Sequence, residues 1–281
     1  MNGISEKPVV LVTGAGAGIG LATVELLAKE GFQVAAVARK DEDLRRLAAI
    51  SPDVCPFKAD LSMPDDIAKL SDDIKSRYRG VDVLVNNAGY GLRGAVEDCP
   101  VDAVREMFEV NVFAPLSLVK YFLPFMRARK KGLIINVSSV TGIWTSPFNG
   151  LYASAKHALE GWSDALRMEV DPFGVRVVLV QPGPVATNFL TNAERRSETV
   201  LSNADSPYAG IYKKMPASVS SLHKSAVKPE KVARLVLRIV RAKRPRARYR
   251  VHFIARVAPF LLSFIPRRWL DRLLQKIVGL R

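Results

Sequence analysis

Short apolar runs alternate with stretches of helical periodicity along most of this chain, and that alternation predicts its architecture. Strand-like runs occupy Val9–Val12, Gln33–Ala38, Val54–Phe57, Val81–Val85, Leu133–Val137, Arg176–Val180 and Ala247–Val251. Between the first two, Ile19, Leu21, Val24, Leu27 and Ala28 recur at helical spacing, which predicts an amphipathic helix over Gly18–Glu30. Further helices are expected over Asp41–Ala49, Pro64–Tyr78, Val101–Arg129, Tyr152–Val170 and Pro229–Ala242. Pro229 with Glu230 behind it is a helix start signal. Strand and helix in alternation predict an α/β fold, a doubly wound parallel sheet of about seven strands with helices on both faces. Residues 188–227 are rich in Ser, Thr, Asn and Ala and lack periodicity. A loop that long within a compact domain is usually functional.

The end of the chain changes pattern. Leu270, Leu273, Leu274, Ile277 and Val278 fall on one helical face, with Arg267, Arg268, Arg272 and Lys276 off it. Upstream, Phe260, Leu261, Leu262, Phe264 and Ile265 are bracketed by Pro259 and Pro266. The expected organisation is a main domain over residues 1–254 and a basic amphipathic helical extension over 255–281.

With 281 residues and 48% apolar content, the chain can bury a substantial core in one α/β domain. The polar opening MNGISEKP leads straight into the first strand, so no signal peptide is expected. Cys55 and Cys99 cannot build a disulfide framework and sit in no metal-ligand cluster, so both read as ordinary thiols of a reducing cytosol. Net charge is +15, but residues 1–223 hold 25 basic and 25 acidic residues. Residues 224–281 hold 17 basic residues against only Glu230 and Asp271. The excess therefore lies at one end of the chain, which argues against nucleic-acid binding by the main domain.

Two motifs carry candidate chemistry. In VVLVTGAGAGIG a strand runs through Thr13 and Gly14 to Gly18, Ile19 and Gly20 and into a helix. Glycines there permit a sharp turn and close approach of backbone to a pyrophosphate, while the helix N-terminus attracts the anion. The pattern is T-G-x-x-x-G-x-G, not the strict G-x-G-x-x-G. Downstream, Ser139, Tyr152 and Lys156 lie thirteen and then four residues apart. A helix through Tyr152 puts Lys156 on the same face. An ammonium beside a phenol favours the phenolate, which suits proton exchange with a substrate alcohol or carbonyl oxygen. Ser139, closing a strand, could hydrogen-bond the same oxygen.

Together with NNAG (Asn86–Gly89), Asn111-Val112, NVSS (Asn136–Ser139), YASAK (Tyr152–Lys156) and PGPVAT (Pro182–Thr187), in this order, these residues resemble the short-chain dehydrogenase/reductase family. The look is closest to its 17β-hydroxysteroid and retinol dehydrogenase branch. The resemblance implies a Rossmann-type catalytic domain and a mobile substrate segment near residues 188–227. It further implies that Asn111, Ser139, Tyr152 and Lys156 are the catalytic group. Tyr152 would exchange the proton, Ser139 would orient the substrate oxygen, Lys156 would lower the Tyr152 pKa and hold the ribose, and Asn111 would anchor a relay water. By the same resemblance the cofactor would meet Thr13, Gly14, Gly18, Ile19, Gly20, Asp60 at the adenine, Asn87, Lys156, Pro182, Gly183, Val185 and Thr187. Ala38 stands where NAD-preferring members carry aspartate, and Arg39 follows it, so a guanidinium is present to clasp a 2′-phosphate. NADP(H) is the expected cofactor, and no metal is expected.

The expected activity is interconversion of a secondary alcohol and ketone, or alcohol and aldehyde, on a small hydrophobic, steroid- or retinoid-like substrate. A 3-oxoacyl thioester reductase is one alternative. A non-catalytic nucleotide-binding docking protein is another, disfavoured because every catalytic position is filled. His157 points off the Lys156 face and reads as structural. Trp144, Pro147, Phe148 and Trp162 read equally as pocket, dimer-face or core residues. A homodimer or homotetramer through the helices of Val101–Arg129 and Tyr152–Val170 is expected from the family. The basic apolar tail suits an anionic membrane surface, with packing as a lid or on a partner subunit as the rivals. The protein is thus expected in the cytoplasm, peripheral on the membrane if the tail binds lipid.

Overall fold

The computed structural model describes residues 7–215, 226–251 and 265–281. Strands β1 (Val9–Thr13), β2 (Gln33–Ala38), β3 (Val54–Lys58), β4 (Val83–Asn86), β5 (Gly132–Val137), β6 (Val175–Gln181) and β7 (Arg248–Arg250) form one sheet in the order β3-β2-β1-β4-β5-β6-β7. Every neighbouring pair is parallel. Helices are α1 (Gly18–Lys29), α2 (Asp41–Ala48), α3 (Pro64–Tyr78), α4 (Val101–Phe108), α5 (Ala114–Ala128), α6 (Gly150–Val170), α7 (Phe189–Arg196), α8 (Glu198–Leu201), α9 (Ala209–Tyr212), α10 (Pro229–Arg241) and α11 (Arg267–Val278).

The strands are Val-, Ile- and Ala-rich because helices cover both faces of the sheet. Successive side chains point to opposite faces, and the burial follows suit. Val10, Val12, Val34, Ala36, Val83 and Val85 pack with Leu27, Leu47, Val232 and Val236 on one side. Leu11, Ala35, Val37 and Leu84 pack with Ile67, Leu70, Leu118, Phe122 and Met126 on the other. The predicted doubly wound sheet is what forms, and every predicted strand lies where expected to within a residue or two.

Three expectations are corrected. The helix expected over Val101–Arg129 is broken by a π-helical turn at Glu109–Phe113. Pro115 has no N–H to give the Asn111 carbonyl four residues back, and the Asn111 side chain itself donates to the Met107 carbonyl at 2.9 Å. The segment after PGPVAT is not irregular throughout: α7, α8 and α9 occupy much of it. The basic excess is not confined to a tail. Helix α10 buries Val232, Ala233, Val236, Leu237 and Ile239 in the core, packing beside α1, and β7 completes the sheet.

At the end of the chain, α11 divides the apolar stripe. Leu270 is buried, and Val278 and Leu280 pack against a cluster of Ala95, Phe148, Val200 and Tyr212. Trp269, Leu273 and Ile277 remain 70, 52 and 69% exposed. The apolar run Phe260, Leu261, Leu262 and Phe264 lies outside the described residues.

Candidate active site

The strand order reverses between β1 and β4, where a crevice opens at the carboxyl ends of the strands. A cavity of about 420 Å³ occupies it, lined by Gly14, Gly18, Ile19 and Asn87 on one side and Ser139, Tyr152, Lys156 and Pro182–Val185 on the other.

The glycine loop is shaped as a cradle. Gly14 and Gly18 have φ of +65° and +53°, left-handed conformations that favour glycine. A Cβ on Gly18 would lie 2.8 Å from Thr187 Cγ2, and one on Gly14 would lie 2.9 Å from the Ala88 Cα. Helix α1 begins at Gly18 behind Ala17, which supplies no side-chain cap, and its first turn carries no acid. Unsatisfied amides and the positive dipole end are thus open to an anion. Thr13 lies below this loop: its Oγ1 accepts from the Asn87 and Ala88 amides at 3.0 Å each. Asn87 Nδ2 donates to the Thr13 carbonyl at 2.9 Å, tying β1 to the NNAG turn. These features fit a dinucleotide pyrophosphate.

At the adenosine end, Arg39 Nη1 donates to Asp60 Oδ2 at 3.3 Å. Asp60 Oδ1 also accepts from the Ser62 amide and hydroxyl at 3.0 and 2.7 Å. Burial raises the Asp60 carboxyl, but the bonds from Ser62 and Arg39 outweigh it and hold the group below its ordinary value. Arg39 is therefore paired, and more than half exposed. A second arginine, Arg46 of α2, donates to the Gly16 carbonyl and to Asp43 at 2.6 Å. Asp60 and Asp43 thus stand near the adenosine end, each paired to an arginine.

At the reacting end, Tyr152 and Lys156 emerge from the first turns of α6 and Ser139 from the end of β5. Lys156 is 4% exposed and its Nζ donates to the Val137 carbonyl at 3.1 Å. Burial lowers its ammonium to about 8, partly offset by Glu160 one turn on. Burial pushes the Tyr152 phenol far above its ordinary value, while the Ser139 hydroxyl and the Arg93 guanidinium pull it down. The groups acting on the phenol are thus Ser139 and Arg93, whereas the Lys156 ammonium sits 5.7 Å from the ring centroid. The Tyr152 ring packs on Phe189 of α7 at 5.5 Å between centroids. Asn111 lies in the π turn, a common setting for functional residues. Its Nδ2 donates to Tyr90 and Met107 carbonyls at 2.9 Å, and its buried Oδ1 has no partner among the described residues. That orphaned acceptor stands next to Gly89, whose Cβ, if added, would be 2.6 Å from it and 3.5 Å from Lys156 Nζ.

The segment beyond PGPVAT roofs the cavity with Asn188, Phe189, Leu190, Asn192 and Ala193. It is pinned: Ser206 donates to Asp98 at 2.6 Å, Tyr208 to Glu97 at 2.6 Å, and the Ala95 amide to Tyr212 at 2.9 Å. Trp144 lines the cavity, whereas Phe148 and Trp162 pack in apolar clusters. His157 Nδ1 contacts the Ala153 carbonyl at 2.8 Å within its helix. Sequence reasoning passed over Arg93, Thr141 and Asn149, which also line the cavity. The only available signal was a cation four residues past NNAG.

This chain belongs to the short-chain dehydrogenase family, whose model matches residues 8–198. Among curated relatives, a probable short-chain type dehydrogenase/reductase, VdlC, of Helicobacter pylori is 33% identical, with 95% of this chain and 97% of that protein covered. The NADPH-dependent 3-dehydrocapnine reductase of Ornithobacterium rhinotracheale is 32% identical with 95% of each covered. A solved short-chain dehydrogenase from Streptomyces avermitilis has a TM-score of 0.79 at 30% identity, covering 99% of this chain and 98% of that one. The protein is an oxidoreductase of the NAD(P)-dependent kind. Among the described residues, no helix is long and apolar enough to cross a membrane.

Proposed function

We propose that this protein interconverts a secondary alcohol and a ketone, or an alcohol and an aldehyde, on a hydrophobic substrate with NADP(H). The observation that carries the reading is the meeting of Ser139, Tyr152 and Lys156 with the glycine cradle in a single crevice. When bound, the nicotinamide supplies or accepts hydride. Gly14, Gly18, Ile19 and Gly20 hold the pyrophosphate, Asp60 and Asn87 flank the adenosine half, and Pro182, Gly183, Val185 and Thr187 line the nicotinamide end. Tyr152 gives its proton to the substrate oxygen in reduction and takes one back in oxidation, while Ser139 orients that oxygen. Lys156 holds the nicotinamide ribose and, with a water on the orphaned Asn111 carbonyl oxygen, returns a proton to Tyr152. Arg39 selects the 2′-phosphate by trading its Asp60 contact for it, and the NADPH-dependent relative supports this choice. A panel of ketones, aldehydes and alcohols, with steroids, retinoids and acyl thioesters included, tests the reading by NADPH consumption or formation. Failure to bind NADPH, or turnover of no carbonyl in the panel, would overturn it.

We further propose that residues 1–254 form the catalytic unit and that 255–281 is an extension resting on an anionic membrane surface. Exposed Trp269, Leu273 and Ile277 supply the apolar edge, and Arg268, Arg272 and Lys276 flank it, the pattern of an interfacial helix. Exposed Val101, Phe113 and Met168 support a homo-oligomer formed through α4, α5 and α6.

A further inference from the structure

Two cationic side chains line the cavity, Lys156 and Arg93, and the chemistry above uses only the first. Arg93 follows the NNAG turn, and its main chain is fixed on both sides. Its amide donates to Ser197 Oγ at 2.7 Å, its carbonyl accepts from Cys99 Sγ at 3.9 Å, and the next amide, of Gly94, donates to the Phe148 carbonyl at 3.1 Å. A backbone anchored this way presents the side chain at one place on the wall. There the guanidinium makes no hydrogen bond or ion pair with any described residue. Glu194 of α7 acts on it only at longer range, and burial lowers its pKa.

Arg93 is half-buried, and none of its five N–H donors is taken up by a described residue, so an anion entering the cavity would meet a free, charge-assisted donor set. The cavity that Arg93 lines also carries the apolar Val140, Trp144, Phe189 and Leu190, beside polar Thr141, Asn149, Asn188 and Asn192. Resting on the catalytic reading above, we propose that Arg93 recognises an anionic group of the substrate, a carboxylate, sulfonate or phosphate near the reacting carbon. The substrate is then an amphiphile: its apolar body lies along Trp144, Phe189 and Leu190 and its acidic head meets the Arg93 fork. Such a contact also separates this site from one built for a neutral steroid or retinoid, which would leave the guanidinium unpaired.

Calorimetric titration of the NADP⁺ complex with decanoate and with decanol, for the wild type and Arg93→Gln, tests this without relying on turnover. Decanoate is expected to bind the wild type at least about tenfold more tightly than the variant, as for a charge-assisted contact, while decanol binds both alike. Equal binding of decanoate to the two proteins, or wild-type preference for decanol, would overturn the proposal. Glu194→Gln covers the rival role. If Arg93 serves only to hold α7 through Glu194, the two variants lower Tm alike and decanoate affinity is unmoved by Arg93→Gln, which also overturns it. Loss of NADP⁺ binding in the wild type would instead count against the catalytic reading itself.

Discussion

Replacing Tyr152 with Phe removes one oxygen and little else. The ring is 8% exposed and its contact with Phe189 survives the change. Lys156 keeps its bond to the Val137 carbonyl, so the cofactor side of the site is left in place. The lost hydroxyl opens on the cavity, where Ser139 and Arg93 act on it, so stability should move by no more than about 1 kcal/mol. Loss of a positioned general acid typically costs about 10²- to 10⁴-fold in rate. At about 1.4 kcal/mol per tenfold, that is roughly 3–5 kcal/mol of barrier. The assay is reductive kcat on a verified ketone, read beside NADPH affinity and Tm. We expect kcat to fall by that factor with affinity and Tm unchanged. Turnover within tenfold of wild type would refute the role of the phenol. A parallel loss of NADPH affinity would show that the ring, not the proton, had been disturbed.

Other perturbations separate the remaining parts. Arg39→Ala should weaken NADPH binding about ten- to a hundredfold and NADH binding little, since one charge-assisted contact is lost; equal losses in a titration of both cofactors would return Arg39 to its Asp60 pairing alone. Lys156, lowered to about 8, is cationic below that pH and neutral above it, so reductive kcat/KM should be level at lower pH and fall above about 8. A profile flat well beyond that point would contradict the need for its charge. Gly18→Ala forces a side chain into a left-handed residue and against Thr187, costing roughly 2–4 kcal/mol, read as a lowered Tm and weakened cofactor binding. Serine at Trp269, Leu273 and Ile277 together should abolish cosedimentation with anionic liposomes at low salt without lowering Tm, because none of the three is buried; a wild-type protein that stays in the supernatant removes the membrane role.

The strands and helices were legible because each carries its own periodicity: a parallel sheet covered on both faces requires apolar runs, and its crossovers require one apolar helical stripe. The glycine loop and the Ser139, Tyr152 and Lys156 spacing were equally legible, since each motif is local in the chain. Non-local arrangements were not. Pro115 and Asn111 together open a π turn, a competition between backbone and side chain that helical periodicity averages away. Counting charge along the chain put the basic excess at one end although α10 and β7 were expected as elements of the main domain; their apolar faces are claimed by α1 and β6, which lie far away in sequence. The stripe of α11 was read as one face, yet only packing against Phe148, Val200 and Tyr212 decided which half is covered. Arg93 carries no motif at all. Its meaning arises from where the folded backbone holds it, in the cavity with Tyr152 and without a hydrogen bond or ion pair among the described residues.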